Sequence, residues 1–407
     1  MPLRSPLSKA IFNMDRTKIW TGTLNEVALA GRPKPKVGFY DTTLRDGEQS
    51  TGVMFDPEQK LEIARMVDQL GVGRIEAGFP RVSEDDREAI KLITAAGLKA
   101  EIWGFARAMP DDVAAVADLG LRHSVIEAPI SNQKLKALGV SREAVLDRIK
   151  TSVEYGVKQG IHVAFFGVDS TRADLDFFER IYKTARDAGA AEFVIVDTLA
   201  IATPEAVTYL IGKARDWLGK DAVIHFHGHN DFGLGTADAI AAVNAGASWI
   251  QGTVDGIGER AGNANLPEIA FTLELLYQVD TGIDFSRVRE TSKRLREIAG
   301  YELEPWKSVV GDTLFVRETG AVAAQFHIPE AIEPYSSSLL NTPRGIVLGK
   351  KSGVASIKLK CEQLGLNLAE DSYPGLLAEI KKLAISKRRL VTDEEFGNLV
   401  GALSKAA

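Results

Sequence analysis

Between residue 36 and about residue 280 the chain alternates short apolar, β-rich runs with amphipathic helical runs. The strand candidates are "VGFYDTTL", "GRIEAGFP", "AEIWGFAR", "HSVIEAPI", "HVAFFGVDS", "FVIVDTLA", "VIHFHGHN" and "WIQGTVDG", eight in all. Eight strand-helix units over roughly 250 residues predict a (β/α)8 barrel. A doubly wound sheet would use fewer parallel strands and a glycine-rich turn after the first. The segment Asp56 to Leu70 shows how the helices are written. Asp56 caps, Pro57 takes the first helical position and Gln59 completes a capping box. Ile63, Val67 and Leu70 make one apolar stripe, and Gly71 ends it. Thr203 and Pro204 open another helix in the same way.

The flanks read differently. Residues 1–35 look like an N-terminal extension, residues 36–282 form the catalytic barrel, and residues 283–407 form a mostly helical appended region with a loop-rich stretch before its closing helices. At 407 residues and a formal net charge of -6, no basic face implies nucleic acid as a partner. A lone cysteine, Cys361, rules out an intrachain disulfide framework and fits a reducing compartment. The N-terminus has no apolar signal region and no run of about 18 apolar residues occurs, so a cytoplasmic protein is expected, with neither secretion nor membrane spanning.

In such a barrel, chemistry collects where strands end and βα loops begin. The first strand is followed by "DTTLRDGEQ", with Arg45, Asp46 and Gln49; the second ends near Glu76; the sixth ends with Asp197 and Thr198. The seventh carries His227 and His229. Alternate strand residues share a face, so both imidazoles can address one point. Asp46, His227 and His229, with Asn263 as a further candidate, would make a mixed nitrogen and oxygen shell for a divalent cation, Mn, Mg or Zn, with positions left for water or a 2-oxo acid. Arg45 beside it could stabilise a developing oxyanion or hold a carboxylate. Asp41 and Asp169 are alternative ligands, although strand-end aspartates commonly cap the next turn. His225 reads as barrel filling or as a partner of the ligands, and His123, His162 and His327 read as structural. The "GIGERAGN" loop, by itself, is a weak phosphate cradle.

Together these motifs resemble the isopropylmalate synthase and homocitrate synthase branch of the DRE-TIM metallolyases. "DTTLRDGEQ", "IEAGFP", "VDTL", "HGHND" and "GTVDGIGERAGNANL" stand in family order, followed by "VLGKKSG" and "KKLAISKRRLVTDEEF". The resemblance implies Arg45 as the catalytic arginine, Asp46, His227 and His229 as metal ligands with Asn263 nearby, and Gln49 and Thr198 at the 2-oxo acid; Glu76, at its strand end, is a further substrate-binding candidate. It also implies a homodimer and an acyl-CoA partner, acetyl-CoA being the family's.

The departures fall on the acyl-CoA half of the site. Where these synthases keep a glutamate after the fifth strand, "FGVDSTR" has Val168, and where they carry "HESGIH" this chain reads "RETGAV", with Arg317 and Val322 in place of both histidines. Tyr335 is the replacement catalytic group that the sequence offers. The expected function is therefore an acyl-CoA:2-oxo acid condensing transferase with altered substrates. A metal-dependent aldolase or lyase, or a condensing enzyme with a non-CoA nucleophile, is the alternative. A metabolite-binding protein without catalysis is a third reading, which the retained ligand set opposes.

Overall fold

The computed structural model describes residues 15–406, which fall into two compact units. The first, Leu24–Glu302, holds a closed barrel of eight parallel strands in sequence order. These are β1 (Gly38–Asp41), β2 (Arg74–Glu76), β3 (Glu101–Arg107), β4 (His123–Pro129), β5 (His162–Val168), β6 (Glu192–Asp197), β7 (Val223–Gly228) and β8 (Trp249–Gly252). β8 closes on β1 with Gly38 opposite Trp249 and Asp41 opposite Gly252. The (β/α)8 architecture is the one the alternating pattern predicts.

The helix starts follow their local chemistry. Helix Pro57–Leu70 carries the reciprocal capping box: Asp56 accepts from the Gln59 amide, and Gln59 accepts from the Asp56 amide. It ends at Gly71, whose φ of 92° suits a residue without a Cβ. Thr203 caps Pro204–Leu218 by accepting from the Ala206 amide.

Period-two alternation sends Tyr40, Trp103, Phe105, Val125, Ala164, Phe166, Val194 and Val196 into one interior cluster. Below that apolar layer the barrel is closed by charge. Arg74 bonds Glu192 through both terminal nitrogens, at 2.6 and 3.0 Å. Its guanidinium carbon lies 3.7 Å from the Trp249 ring centroid and 4.6 Å from that of Trp103. A buried fork of this kind is weak evidence for stability, but removing one partner would strand the other. Gly38 and Gly73 make room for Trp249; a Cβ on Gly73 would lie 2.9 Å from its ring.

The barrel unit runs to Glu302, so helix Phe285–Ala299 belongs with it. The second unit joins residues 15–23 to residues 303–406. In it the Trp20 amide donates to Pro334 at 2.8 Å and the Ser336 amide to Lys18 at 2.8 Å, which ties the early segment down. A two-stranded parallel pair, Val316–Arg317 with Gly345–Ile346, precedes helices Val354–Leu364, Tyr373–Lys387 and Asp393–Ala406. Leu348, Ile357, Leu376, Ile380 and Phe396 form their core. Among the described residues no helix is long and apolar enough to cross a membrane.

Candidate active site

A tight turn after β1 sets the first two residues of the site. The Thr42 carbonyl accepts from the amides of Arg45, Asp46 and Gly47 at 3.2, 2.8 and 3.1 Å. Asp41 secures this turn, accepting from the Thr43 amide and hydroxyl at 2.9 Å each, and the Val254 amide donates to the same hydroxyl at 3.0 Å. Asp41 thus organises the turn and lies outside the ligand cluster. Asp169 is likewise engaged, by Ser131 and by Arg172 at 2.6 Å.

Arg45 projects over the Phe105 ring, 4.4 Å from its centroid, and its Nε donates to Glu76 at 2.5 Å. Glu76 also accepts from the Tyr40 hydroxyl at 3.1 Å, so the arginine is aimed by a carboxylate that is itself held. Burial opposes the charge on Arg45, while Glu76 and Asp46 restore it. Its Nη2 is buried and has no hydrogen-bond partner. That leaves one donor of a fixed fork for something else.

Asp46, His227 and His229 are all buried, and one ligand atom from each lies within 4.8 Å of the others. His227 sits on β7 and His229 one residue past its end, paired with Asn263. Nε2 of His227 is 3.1 Å from Asp46 Oδ2 and Nε2 of His229 is 3.9 Å from it, yet that oxygen makes no hydrogen bond.

The other ring nitrogens explain this. His229 Nδ1 faces the Gly262 carbonyl at 3.2 Å, an acceptor only, so Nδ1 carries the hydrogen. His227 Nδ1 faces Gln251 Oε1 at 3.1 Å. The far side of Gln251 fixes its amide: Nε2 meets His225 Nδ1 at 3.3 Å, and His225 Nε2 meets Glu192 at 2.5 Å. Burial opposes ionisation of Glu192, but hydrogen bonds from His162 and His225 and the Arg74 fork outweigh it and hold the carboxyl well below the usual range. An ionised Glu192 makes His225 Nε2 the donor, then Gln251 Nε2 the donor to His225, and finally His227 Nδ1 the donor to Gln251. Burial pushes the His229 imidazole down to about 4, leaving it neutral at ordinary pH. With Nδ1 as the donor in each ring, Nε2 is the atom left to face Asp46 Oδ2, at 3.1 Å from His227 and 3.9 Å from His229. Three electron-rich atoms so placed fit a divalent cation.

Asn263 enters this region because Gly258 has no side chain in its way. Its Nδ2 donates to the Ile257 carbonyl at 3.0 Å, while its Oδ1 is buried without a partner. Gln49, Thr198 and Glu259 join Arg45, Asp46 and the two histidines around one cavity of about 650 Å³. Thr198 accepts from the Asp169 amide at 2.8 Å through its hydroxyl, and Arg260 bridges Asp231 and the Thr198 carbonyl.

The structure adds residues to the site that no sequence motif marks. Gln251 was hidden because a glutamine at an inward strand position resembles filling. Glu127 lines the cavity from β4, and its signal was available: it stands two residues after the interior Val125. His225 proves to be a link in the hydrogen-bond chain to His227. His162 bonds Glu192 at 2.8 Å and His123 stacks on Trp103 with centroids 5.1 Å apart. Val168 lines the cavity wall. Tyr335 lies in the second unit, its ring edge-on to Phe315 at 5.7 Å; Arg317 and Val322 belong to that unit as well.

The HMGL-like family model matches residues 36–295. A homocitrate synthase of Methanopyrus kandleri is 42% identical over 363 residues, which cover 89% of this chain and 91% of that protein. The chain belongs to the HMGL-like family. Two further relatives agree: homocitrate synthase 1 of a Nostoc species, 37% identical over 90% of this chain and 97% of its own length, and the 2-isopropylmalate synthase of Methanocaldococcus jannaschii, 37% identical over 91% and 73%. This HMGL-like chain is accordingly a DRE-TIM metallolyase resembling those synthases. A hydroxymethylglutaryl-CoA lyase structure from Pseudomonas aeruginosa superposes with a TM-score of 0.60 at 17% identity, covering 66% of this chain and 95% of that one, a likeness of fold alone.

Proposed function

We propose that this enzyme is a divalent-metal-dependent acyltransferase that condenses an acyl-CoA with a 2-oxo acid. The observation that carries the reading is the convergence of Nε2 of His227 and Nε2 of His229 on the buried, partnerless Asp46 Oδ2. Support comes from relatives named homocitrate and isopropylmalate synthase, matched over about nine-tenths of the chain.

Asp46, His227 and His229 would hold the ion, with the Asn263 carbonyl oxygen as a fourth candidate donor. A divalent ion held there supplies Lewis-acid polarisation of the 2-oxo carbonyl. The rest is done by the chain. Arg45 offers its free Nη2 to the oxygen on which charge collects as the carbon-carbon bond forms, and Glu76 keeps it aimed. Gln49 and Thr198 sit on the cavity wall where a carboxylate of the 2-oxo acid would be held. Phe105, Phe166 and Val196 give the same space an apolar wall. The reading takes the enzyme to be a cytoplasmic homodimer; the buried, unpaired Cys361 accords with a reducing setting, and the dimer rests on the resemblance.

The test is release of CoA thiol from acetyl-CoA across a panel of 2-oxo acids, with and without a chelator. Turnover that disappears on chelation and returns with Mn, Mg or Zn is the expected result. Production of pyruvate or glyoxylate from hydroxy acids, with no thiol released by any pair, would replace condensation with retro-aldol cleavage.

A further inference from the structure

The condensation proposed above needs a group to take a proton from carbon, and the cavity holds one carboxylate that no other residue claims. Asp46 belongs to the ligand cluster. Glu48 accepts from the Phe55 amide at 2.9 Å and pairs with Lys60 at 2.6 Å, and Asp86 pairs with the same lysine at 2.6 Å. Glu259 is more than half exposed, 3.7 Å from Arg260, and Asp85 is at the surface. Glu127 is what remains.

Its position follows from the barrel. Val125 points into the interior cluster, so Glu127, two residues on, faces the same way at the mouth. The Ala108 amide donates to its carbonyl at 2.7 Å and fixes the backbone there. On either side in the sheet stand Arg107 of β3 and Phe166 of β5. Arg107 is turned away, with Nε 2.6 Å and Nη2 3.2 Å from Asp112, and Arg45 is bonded to Glu76. Arg107 and Arg45 thus leave Glu127 without an ion pair, and it shares the cavity wall with Lys134 as well as with the apolar Phe166, Val168 and Val196.

We propose that Glu127 is the catalytic base that deprotonates the acyl thioester. The carboxylate takes the α-proton: the C–H bond breaks, an O–H bond forms on Glu127, and the electron pair passes into the thioester enolate. The enolate carbon then bonds the 2-oxo carbon, whose carbonyl pair moves onto oxygen beside Arg45. That oxygen takes up a proton from solvent to become the alcohol, water adds to the thioester carbonyl and displaces the sulfur as the thiol to leave a carboxylate, and Glu127 returns its proton to solvent. Burial pushes this carboxyl up to about 7, against the pull of Arg45, Arg107 and Lys134 and with a smaller push from Asp112. A base is most effective when it titrates near the working pH.

The experiment uses the metal-loaded enzyme and the variants Glu127→Gln and Glu127→Ala. The first readout is the pH profile of thiol release with the best 2-oxo acid. The second is exchange of acetyl-CoA methyl protons into D2O with an unreactive 2-oxo acid analogue bound, which does not require condensation. Metal content, thermal midpoint and calorimetric binding of the 2-oxo acid accompany both. The wild type should gain activity with a midpoint near pH 7; both variants should lose on the order of 100-fold or more in thiol release and in exchange, with metal and 2-oxo acid binding intact. Wild-type rates and pH profile in Glu127→Gln would overturn the assignment. So would a weakened 2-oxo acid affinity at unchanged kcat, since that marks a binding group. Absence of thiol release in the wild type would overturn the condensation itself; Glu127 would then stand or fall on whether the exchange is present in the wild type and lost in the variants.

Discussion

Nδ1 of His227 donates across 3.1 Å to Oε1 of Gln251, and Gln251 in turn donates to His225. The glutamine fixes which imidazole nitrogen is bare. Gln251→Leu keeps the size but removes the acceptor, freeing His227 to take the other tautomer or to turn. Outer partners of metal-ligating histidines are typically worth about 10- to 100-fold in affinity. A fall of that size is expected in a calorimetric Mn or Zn titration, at nearly unchanged thermal stability of the metal-free protein. Equal affinity in the variant would show that packing alone orients His227.

Arg45 presents a planar fork, one arm on Glu76 and one unpartnered. Arg45→Lys keeps a charge and loses that geometry. The expected loss in kcat is about 100-fold or more, with metal content unchanged. A near-normal rate would reduce Arg45 to a structural partner of Glu76.

Gly38 lies against the Trp249 ring, which Arg74 covers at 3.7 Å from its centroid. A methyl group at residue 38 would overlap that ring, and the guanidinium above leaves it little room to retreat. Gly38→Ala should cost roughly 1–3 kcal/mol, as overpacked cores do, read as a lower denaturant midpoint at constant slope. Unchanged stability would mean that the ring relocates freely.

Asp238 is almost wholly buried in the first turn of helix Gly235–Asn244, and neither of its carboxylate oxygens has a hydrogen-bond partner. Burial, with Asp197 and Glu205 nearby, pushes its carboxyl up to about 7. In the unfolded chain it titrates near about 4. Between those values the unfolded chain releases a proton that the folded one keeps, so this group lowers stability as pH rises, by up to about 4 kcal/mol once above 7. Asp238→Asn should therefore lose less thermal stability than the wild type on going from pH 5 to pH 8. Parallel pH profiles for the two proteins would refute the shift.

The barrel was legible because its pattern is local: eight apolar runs, each followed by caps such as Asp56 and Gln59 that name their own helix starts. Asp46, His227 and His229 were legible as a possible set because strand ends converge in this architecture, and the structure brings their ligand atoms together. Their hydrogen-bond support was not. Gln251 and Glu192 act through partners 24 and 33 residues away in sequence, and no periodicity reports such a contact. Glu127 is hard to see for a different reason: β4 has the pattern of an apolar strand, and one charge at an inward position leaves that pattern unchanged.

The chain from His227 to Glu192 has a direction. Every donor in it faces the closed end of the barrel, where Glu192 is the sole terminal acceptor, so the negative charge there is felt, link by link, at the imidazole beside Asp46. The amide of Gln251 can pass on polarity but cannot relay a hydrogen ion without losing its own. This chain therefore conducts electrostatic bias and insulates against protons. Protons that the reaction consumes or yields do not travel along this chain; the cavity side, where Glu127 stands, is left to carry them.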